Sequence, residues 1–243
     1  LGMASSLVLA GDVLVAQVEN DSESFVAGLN KTTGGNLWKI DRPKSANWTT
    51  ATVRRDKAGQ EQVLLQSGKG IHAVNSASGK VEWHYADGAA TIPSSALAGE
   101  MLFVPSHGLT ALKLGADGKS FEQKWRSGRL RPGTASPLVH GRKVYSLNNA
   151  GVLACADVDS GNRLWQLRLA GPFGGSPVVA DNHMYIFSEE GLAQVVDLTA
   201  PEGKVVGKMD LGEMIQCSPA VSNGALFVRS NGHIWKISRK TRL

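Results

Sequence analysis

The fold is decided by residues 136–165, which read SPLVHGRKVYSLNNAGVLACADVDSGNRLW. The first half of this stretch joins Ser136-Pro137 and two apolar residues to a glycine and a second apolar run. The second half runs from Gly151 to Asp157, then through Ser160-Gly161 to Trp165. Both halves recur along the chain in the same order. Because self-similarity at a fixed period marks repeat architectures, the interval between copies identifies the kind of repeat.

Copies of the first half recur about every 42 residues, a period that is typical of propeller blades. The clearest copies begin at Ser136, Ser176 and Ser218, and three weaker ones precede them. The residues equivalent to Pro137 are, in chain order, Leu7, Ala51, Ala96, Pro137, Pro177 and Pro219. The sequence therefore contains six visible repeats.

Each period divides into four short apolar runs, separated by turns rich in Gly, Asn, Asp and Ser. Such runs predict four antiparallel strands. One small sheet cannot bury both of its faces, so successive sheets must pack face to face around an axis. We therefore predict an all-β chain, a β-propeller of four-stranded antiparallel blades forming one domain over residues 1–243. The predicted repeats cover residues 4–44, 45–89, 90–131, 132–171, 172–213 and 214–243.

A tryptophan closes four of the repeats. In the fifth repeat Gly207 stands at this position, and the sixth repeat stops early at Trp235-Lys236-Ile237. A large flat side chain is best used where two sheets meet, so we interpret the repeated tryptophan as a packing residue. The Asp-x-x-Ser-Gly stretch before it predicts a hairpin turn. In particular, Asp157 to Gly161 does not follow the ligand spacing of an acidic calcium loop.

These two half-motifs are similar to the repeat of the pyrroloquinoline-quinone-like β-propellers, and the resemblance covers nearly the whole chain. The family includes quinone-dependent dehydrogenases, the outer-membrane barrel-assembly lipoprotein and sensor domains of bacterial kinases. Its members close with eight blades, or sometimes seven, whereas six repeats are visible here and the last lacks its fourth strand. From the resemblance we expect a C-terminal piece of a larger propeller that lacks N-terminal blades. The resemblance also implies an extracytoplasmic location, periplasmic or at the cell surface.

The chemistry of a quinone site is largely missing from the sequence. The dehydrogenases of this family place adjacent cysteines over the quinone and a Glu, Asn and Asp set around calcium. Here Cys155 and Cys217 are far apart in the sequence. No nucleophile elbow, phosphate loop or His-Glu-x-x-His motif occurs. We therefore predict no catalytic, cofactor or metal residues, and expect pyrroloquinoline quinone with calcium only if the site lies partly in missing blades.

The composition is that of an ordinary folded protein, with 42% hydrophobic and 19% charged residues. No apolar stretch is long enough to span a membrane. The formal net charge of +5 is spread along the chain among 21 acidic residues. The basic loop 126–131 and the tail residues Lys236, Arg239, Lys240 and Arg242 do not form a basic stripe interleaved with aromatics. We therefore predict no nucleic-acid partner.

Candidate binding residues lie in loops on one face of the predicted blades. With the first strand innermost, the connections between blades and the loops between second and third strands emerge together, and binding residues concentrate in such loops. Trp48 stands outside the repeat position, and arginines are suited to recognising carboxylates. The candidates for contact with a ligand or partner are Trp48, His107, Arg129, Arg131 and Phe173.

The sequence thus favours a non-catalytic propeller that binds a protein, or another extracytoplasmic ligand, through one loop face. The alternative is a quinone-dependent alcohol or sugar dehydrogenase with pyrroloquinoline quinone and calcium. A hydrolase or lyase that uses residues of the same face is a third possibility, supported only by the frequency with which propellers host enzymes.

Overall fold

The computed structural model describes residues 4–238, and all regular elements in that range are β-strands. The strands form six antiparallel sheets. The all-β prediction of four-stranded blades is confirmed, and the sixth sheet has three strands within the described residues. The chain divides into two compact units, Leu1–Arg129 and Leu130–Leu243, each with three sheets. Between residues 4 and 238, no helix is long and apolar enough to cross a membrane.

The first unit contains three four-stranded sheets whose strands follow chain order. The first sheet comprises β1 (Val8–Ala10), β2 (Val13–Val18), β3 (Phe25–Asn30) and β4 (Asn36–Asp41). The second comprises β5 (Thr52–Arg55), β6 (Glu61–Ser67), β7 (Gly70–Asn75) and β8 (Val81–Tyr85). The third comprises β9 (Ala96–Ala98), β10 (Met101–Val104), β11 (Leu109–Leu114) and β12 (Phe121–Ser127).

The second unit repeats this plan. Its first sheet comprises β13 (Leu138–His140), β14 (Lys143–Leu147), β15 (Val152–Asp157) and β16 (Arg163–Arg168). The next comprises β17 (Val178–Ala180), β18 (His183–Phe187), β19 (Leu192–Asp197) and β20 (Lys204–Asp210). The last described sheet comprises β21 (Ala220–Ser222), β22 (Ala225–Arg229) and β23 (Ile234–Ser238). The final residues of the sixth predicted repeat, 239–243, lie outside the described range.

The turns between third and fourth strands form as the sequence predicts. Oδ1 of Asp157 accepts hydrogen bonds from the backbone N–H groups of Asp159 (3.1 Å) and Ser160 (2.9 Å). These bonds stabilise the ionised carboxylate and lower the pKa of Asp157. Gly161 follows with φ of 69°, a conformation that favours glycine. The acidic side chain is therefore used to close a turn.

The middle strands of each sheet carry the core. Val63, Leu64 and Leu65 are adjacent residues of β6, and none of them has exposed surface (0% each). Adjacent residues point to opposite faces of a strand, so β6 is covered on both sides. Within the first unit, β6 packs towards the first sheet through Val63 and Leu65 and towards the third through Leu64. This burial explains why the second and third strands read as continuous apolar runs.

The repeated tryptophans are packing residues, as predicted. Each lies on a fourth strand beside a β-bulge, opposite a small residue of the third strand; the pairs are Trp38 with Gly28, Trp83 with Ala73, Trp125 with Ala111, and Trp165 with Cys155. A Cβ atom on Gly28 would lie 2.1 Å from Cε2 of Trp38, so the close approach requires glycine. In the fifth sheet the register places Gly207 opposite Val195.

Candidate protein-binding loop face

In both units, backbone hydrogen bonds join the connections between sheets to the loops between second and third strands. In the first unit, the N–H of Trp48 donates to the carbonyl of Thr91 (2.8 Å), which links two successive connections. The N–H of Ala46 donates to Oδ1 of Asp21 in the β2–β3 loop (3.1 Å). In the second unit, the N–H of Glu189 donates to the carbonyl of Pro172 (2.9 Å). We call the combined loops of each unit its loop face.

A buried ion pair lies beneath the loop face of the first unit. Nε of Arg42 donates to Oε1 of Glu19 at 2.6 Å, and the two side chains are 3% and 1% exposed. Nδ2 of Asn47 donates to Oε2 of Glu19 (3.0 Å) and to the carbonyl of Gln66 (2.8 Å). Charges removed from water are tolerated when they are paired and hydrogen-bonded in this way. The connection 42–49, here called the Trp48 loop, is therefore anchored at both ends.

Two glutamines extend this network across the first unit. Nε2 of Gln17 donates to Oε1 of Glu19 (3.0 Å) and to the carbonyl of Gln66 (2.9 Å). Nε2 of Gln66 donates to the carbonyls of Ala90 (2.6 Å) and Pro93 (2.9 Å) in the next connection. The network thus ties together the first two sheets and the connections that follow them. No sequence pattern indicates this network, because Gln17, Arg42 and Gln66 are distant in sequence and belong to no motif.

A pair of histidines borders the ion pair. Nη1 of Arg42 donates to Nδ1 of His72 (3.1 Å), and the His72 ring stacks on His84 with centroids 3.8 Å apart. Burial, followed by the charge of Arg42 and then by His84, lowers the pKa of His72 to about 4. His72 is therefore neutral near pH 7, which is the form that can accept the hydrogen bond from Arg42.

Above this network, the Trp48 side chain reaches solvent. It is 39% exposed, although its neighbours Asn47 and Thr49 are 2% and 0% exposed. Ile92 follows Thr91, whose carbonyl accepts the hydrogen bond from the Trp48 N–H, and it is 42% exposed. Two apolar side chains are thus presented on two loops that are bonded together. Exposed aromatic residues with fixed backbones are typical contact residues of protein interfaces.

The other two candidates of the first unit, His107 and Arg129, have different surroundings, and His107 shares its partner Asp87 with Arg126. Arg126 pairs with the carboxylate of Asp87 and also donates to Oη of Tyr85 (3.1 Å). His107, with φ of 50°, places Nε2 3.1 Å from the Asp87 carbonyl. The Arg126 guanidinium holds the pKa of Asp87 below its usual range. His107 and Arg126 are therefore held by Asp87, whereas Arg129 is exposed at the end of the first unit.

In the second unit, Arg131 is exposed, but Phe173 is not. The Phe173 side chain is 2% exposed and belongs to an apolar cluster with Leu147 and Leu169. Its carbonyl accepts a hydrogen bond from Oγ1 of Thr134 (2.5 Å). The structure therefore places Phe173 in the core beneath the loop face, where it holds the connection in place, and we leave it out of the proposed contact surface.

A second polar cluster lies on the loop face of the second unit and was also missed in the sequence. Glu213 accepts hydrogen bonds from the hydroxyl of Ser230, from the N–H of Gly232 (3.0 Å) and from Nδ1 of His233 (2.6 Å). Nε1 of Trp235 donates to Oγ of Ser230 (3.0 Å). These bonds lower the pKa of Glu213, with Ser230 as the largest cause. The carboxylate closes the β22–β23 loop.

The described residues do not fit a quinone and calcium site. Cys155 is buried on β15, and burial raises the pKa of its thiol to about 11. Cys217 is half-buried, and its Sγ donates to the carbonyl of Arg229 (3.1 Å) in the sixth sheet. Over residues 4–238, no three His, Cys, Asp or Glu side chains are grouped so that they could hold a metal ion.

The fold and these loop faces define a β-propeller built from pyrroloquinoline-quinone-like repeats. The chain belongs to the family described as outer membrane protein assembly factor BamB, whose model matches residues 2–101 and 114–194. No curated protein sequence matches it.

Three solved structures resemble the chain at low identity. BamB from Moraxella catarrhalis has a TM-score of 0.74 and 14% identity, over 99% of this chain and 72% of that one. The computationally designed Ika8 protein has a TM-score of 0.70 and 10% identity, over 96% and 70%. A europium-containing methanol dehydrogenase has a TM-score of 0.67 and 12% identity, over 93% and 65%. At such identities these likenesses establish the fold alone.

Proposed function

We propose that this chain is a non-catalytic β-propeller scaffold that binds a protein partner through its loop face, with Trp48 as the main contact. The observation that carries the proposal is the exposed indole of Trp48, held between the buried residues Asn47 and Thr49. An exposed tryptophan on a mobile loop would lose conformational freedom on binding. Here the backbone is already fixed, so less entropy is lost when a partner covers the indole.

The buried network explains why such a loop stays in place. The carboxylate of Glu19 holds both Arg42 and Asn47, at the two ends of the Trp48 loop. Moving the loop outwards would separate the buried charges or leave one of them unpaired, which is strongly unfavourable. The network therefore serves as a rigid support for Trp48 and, through Gln66, for the connection that carries Ile92.

His107 and Arg129 are proposed as supporting contacts on the first unit, and Arg131 as a contact on the second unit. All three are exposed. Exposed arginine charges contribute more to the rate and selectivity of association than to affinity. A protein partner with an apolar pocket for Trp48, and with carboxylates for the arginines, would fit these residues.

The family supports a protein partner and a location outside the cytoplasm. The family description names an outer membrane protein assembly factor. A factor that assists assembly works by binding other polypeptides, and the membrane it serves lies beyond the cytoplasm. We extend both properties to this chain: its partner is a protein, and it acts in the periplasm or at the cell surface.

Site-specific photocrosslinking tests the contact face. A photoreactive amino acid is placed at Trp48 in the natural full-length protein, and at Val81 in a matched control. Val81 is also in the first unit and similarly exposed (43%), but it lies on the outer strand β8. We expect one dominant protein adduct from position 48 and none from position 81. Equal adducts from both positions, or undiminished partner binding by the Trp48→Ala variant, would contradict the proposal.

The alternative, a quinone-dependent dehydrogenase, has its own test. It requires pyrroloquinoline quinone and calcium, with ligands supplied from beyond residues 4–238. Titration of the full-length protein with both, followed by quinone absorbance and a dye-linked alcohol assay, distinguishes the two functions. The scaffold proposal expects no saturable change in absorbance, whereas saturable quinone binding with dye reduction would replace it.

A further inference from the structure

An apolar pocket of about 190 Å³ lies between the fifth and sixth sheets, both within the second unit. The fifth sheet contributes a row of residues across its strands, namely Tyr185, Val195 and Gly207. The sixth sheet contributes Leu226 and Ile237, which pair with each other across β22 and β23. The pocket is thus bounded by two packed sheets, at the position where Gly207 replaces the repeated tryptophan.

The preceding pair of sheets shows what occupies the equivalent position. In the fourth sheet the corresponding row is Tyr145, Cys155 and Trp165. Trp165 is 7% exposed and shares an apolar cluster with Met184 and Val196, the pair on the fifth sheet that corresponds to Leu226 and Ile237. An indole therefore fills the space between the fourth and fifth sheets, whereas the described residues form a pocket at the equivalent place between the fifth and sixth.

In the fifth repeat, the residue that pairs with Gly207 across the strands also differs from its counterparts in the other repeats. The tryptophans pair across strands with a small residue, namely Gly28, Ala73, Ala111 or Cys155. Gly207 pairs instead with the larger Val195. Valine does not fill the volume of an indole, so a pocket remains. Gly207 does not have a positive φ, and a Cβ atom on it would lie 3.6 Å from the nearest atoms of Val195, an ordinary contact. The backbone therefore does not require glycine at this position.

The chemistry of the equivalent tryptophans indicates the class of ligand. Nε1 of Trp83 and Nε1 of Trp165 are buried without a hydrogen-bond partner in the described part of the chain. Nε1 of Trp38, by contrast, donates to the carbonyl of Ser76 (2.8 Å), so a hydrogen bond from the N–H group is not a constant feature of these positions, whereas the packed ring is. A dry apolar cavity of ~150 Å³ is large enough to bind benzene. Tyr185, Phe187 and Met209 add aromatic and thioether surface to this pocket, which favours contact with an aromatic ring.

We propose that the pocket beside Gly207 is a binding site for a planar apolar aromatic ring of indole size. The ring would lie between the Tyr185–Val195–Gly207 row and the Leu226–Ile237 pair, in the place that Trp165 takes in the preceding repeat. This site is independent of the Trp48 loop, which lies in the first unit.

Binding of 5-fluoroindole, followed by ¹⁹F NMR on the full chain, tests the site. We expect saturable binding to the natural sequence and a loss of at least about tenfold in affinity in the double variant Val195→Ala/Gly207→Trp. This variant restores the Ala–Trp pair of the second and third sheets, so it fills the pocket with a combination that the chain already uses. If it does not fold, Leu226→Phe narrows the same pocket from the opposite sheet, with the same expected loss.

A matched positive control and a second probe complete the experiment. Trp165→Gly opens the equivalent space in the preceding repeat, and it should add a second class of 5-fluoroindole site. A short peptide with 5-fluorotryptophan at its centre distinguishes the sources of the ring: peptide binding indicates a side chain of a partner polypeptide, and binding of the free indole alone indicates a small molecule. No saturable binding of either probe, or binding unchanged in both pocket-filling variants, would overturn the proposal.

Discussion

The connections after the first and fourth sheets each bury one side chain at an equivalent position, but one side chain is polar and the other apolar. Asn47 and Phe173 lie four residues before equivalent repeat positions, Ala51 and Pro177, and each is 2% exposed. Asn47 bonds to Glu19 and to the Gln66 carbonyl. Phe173 packs among apolar side chains of the second unit. These two repeats therefore both bury a side chain at this position, but with opposite polarity, whereas Ile92 at the same position of the third repeat is 42% exposed.

The two solutions have different consequences for the loop above. An apolar side chain needs only a space of the right volume, and it packs against whatever surrounds it. A polar side chain needs partners at fixed distances, so Asn47 fixes the positions of Glu19, Arg42 and Gln66 together. This requirement makes the Trp48 loop more sharply positioned than its counterpart. It also makes the loop more sensitive to the loss of a single charge.

The largest expected effect is that of Glu19→Gln. The change leaves the Arg42 guanidinium buried at 3% exposure without its carboxylate. Removing one partner of a buried ion pair costs about 3–5 kcal/mol, and we expect a loss of about 4 kcal/mol in the free energy of unfolding. Urea unfolding followed by tryptophan fluorescence measures it.

The control for this prediction is Glu23→Gln. Glu23 is in the same β2–β3 loop, but its side chain is 78% exposed and it pairs with Lys39 at the surface. Loss of an exposed pair changes stability by less than about 1 kcal/mol. Equal effects of the two substitutions would show that the Glu19 charge does not organise the loop.

A smaller effect, of about 3 kcal/mol, is expected for Phe173→Ala. The substitution removes a buried ring from an apolar cluster and leaves a cavity, with no charge left unpaired. Phe173→Leu should recover most of the loss, because an apolar position tolerates a change of shape better than a change of volume. Urea unfolding of both variants checks this order. If Phe173→Leu is as destabilising as Phe173→Ala, position 173 tolerates substitution no better than the polar position 47. The proposed difference between the two connections would then be wrong.

The repeat was sufficient to predict the sheets, turns and tryptophan contacts, because each follows from a local pattern that recurs. The site was harder to predict. Trp48 is recognisable as a tryptophan outside the repeat, but the network beneath it joins residues from two sheets and two connections, and no local pattern links Gln17 to Gln66. Phe173 was predicted as a contact residue because it lies in a loop, yet a loop position does not indicate whether a side chain points outwards or into the core.

The smallest expected effect is the pH dependence that His72 of the first unit contributes. His72 has an ordinary pKa of 6.5 when unfolded and about 4 when folded, so the folded state favours its neutral form. The stabilisation is complete above pH 6.5, and it is lost as the pH falls towards 4, where protonation would remove the acceptor for Arg42. Because His72 is partly open to solvent, we expect about 1–2 kcal/mol rather than the full value of the shift.

Unfolding free energies measured between pH 7 and 4 test this prediction. The pH-dependent loss should shrink by about 1–2 kcal/mol in His72→Gln, because glutamine does not titrate. His84→Gln is the control, since His84 is the exposed member of the stacked pair and does not contact Arg42 through a described hydrogen bond. It should keep most of the pH dependence. If His72→Gln and the natural sequence lose stability equally over this range, the polar network does not depend on neutral His72. The difference between the Asn47 and Phe173 connections would then rest on the Glu19–Arg42 pair alone.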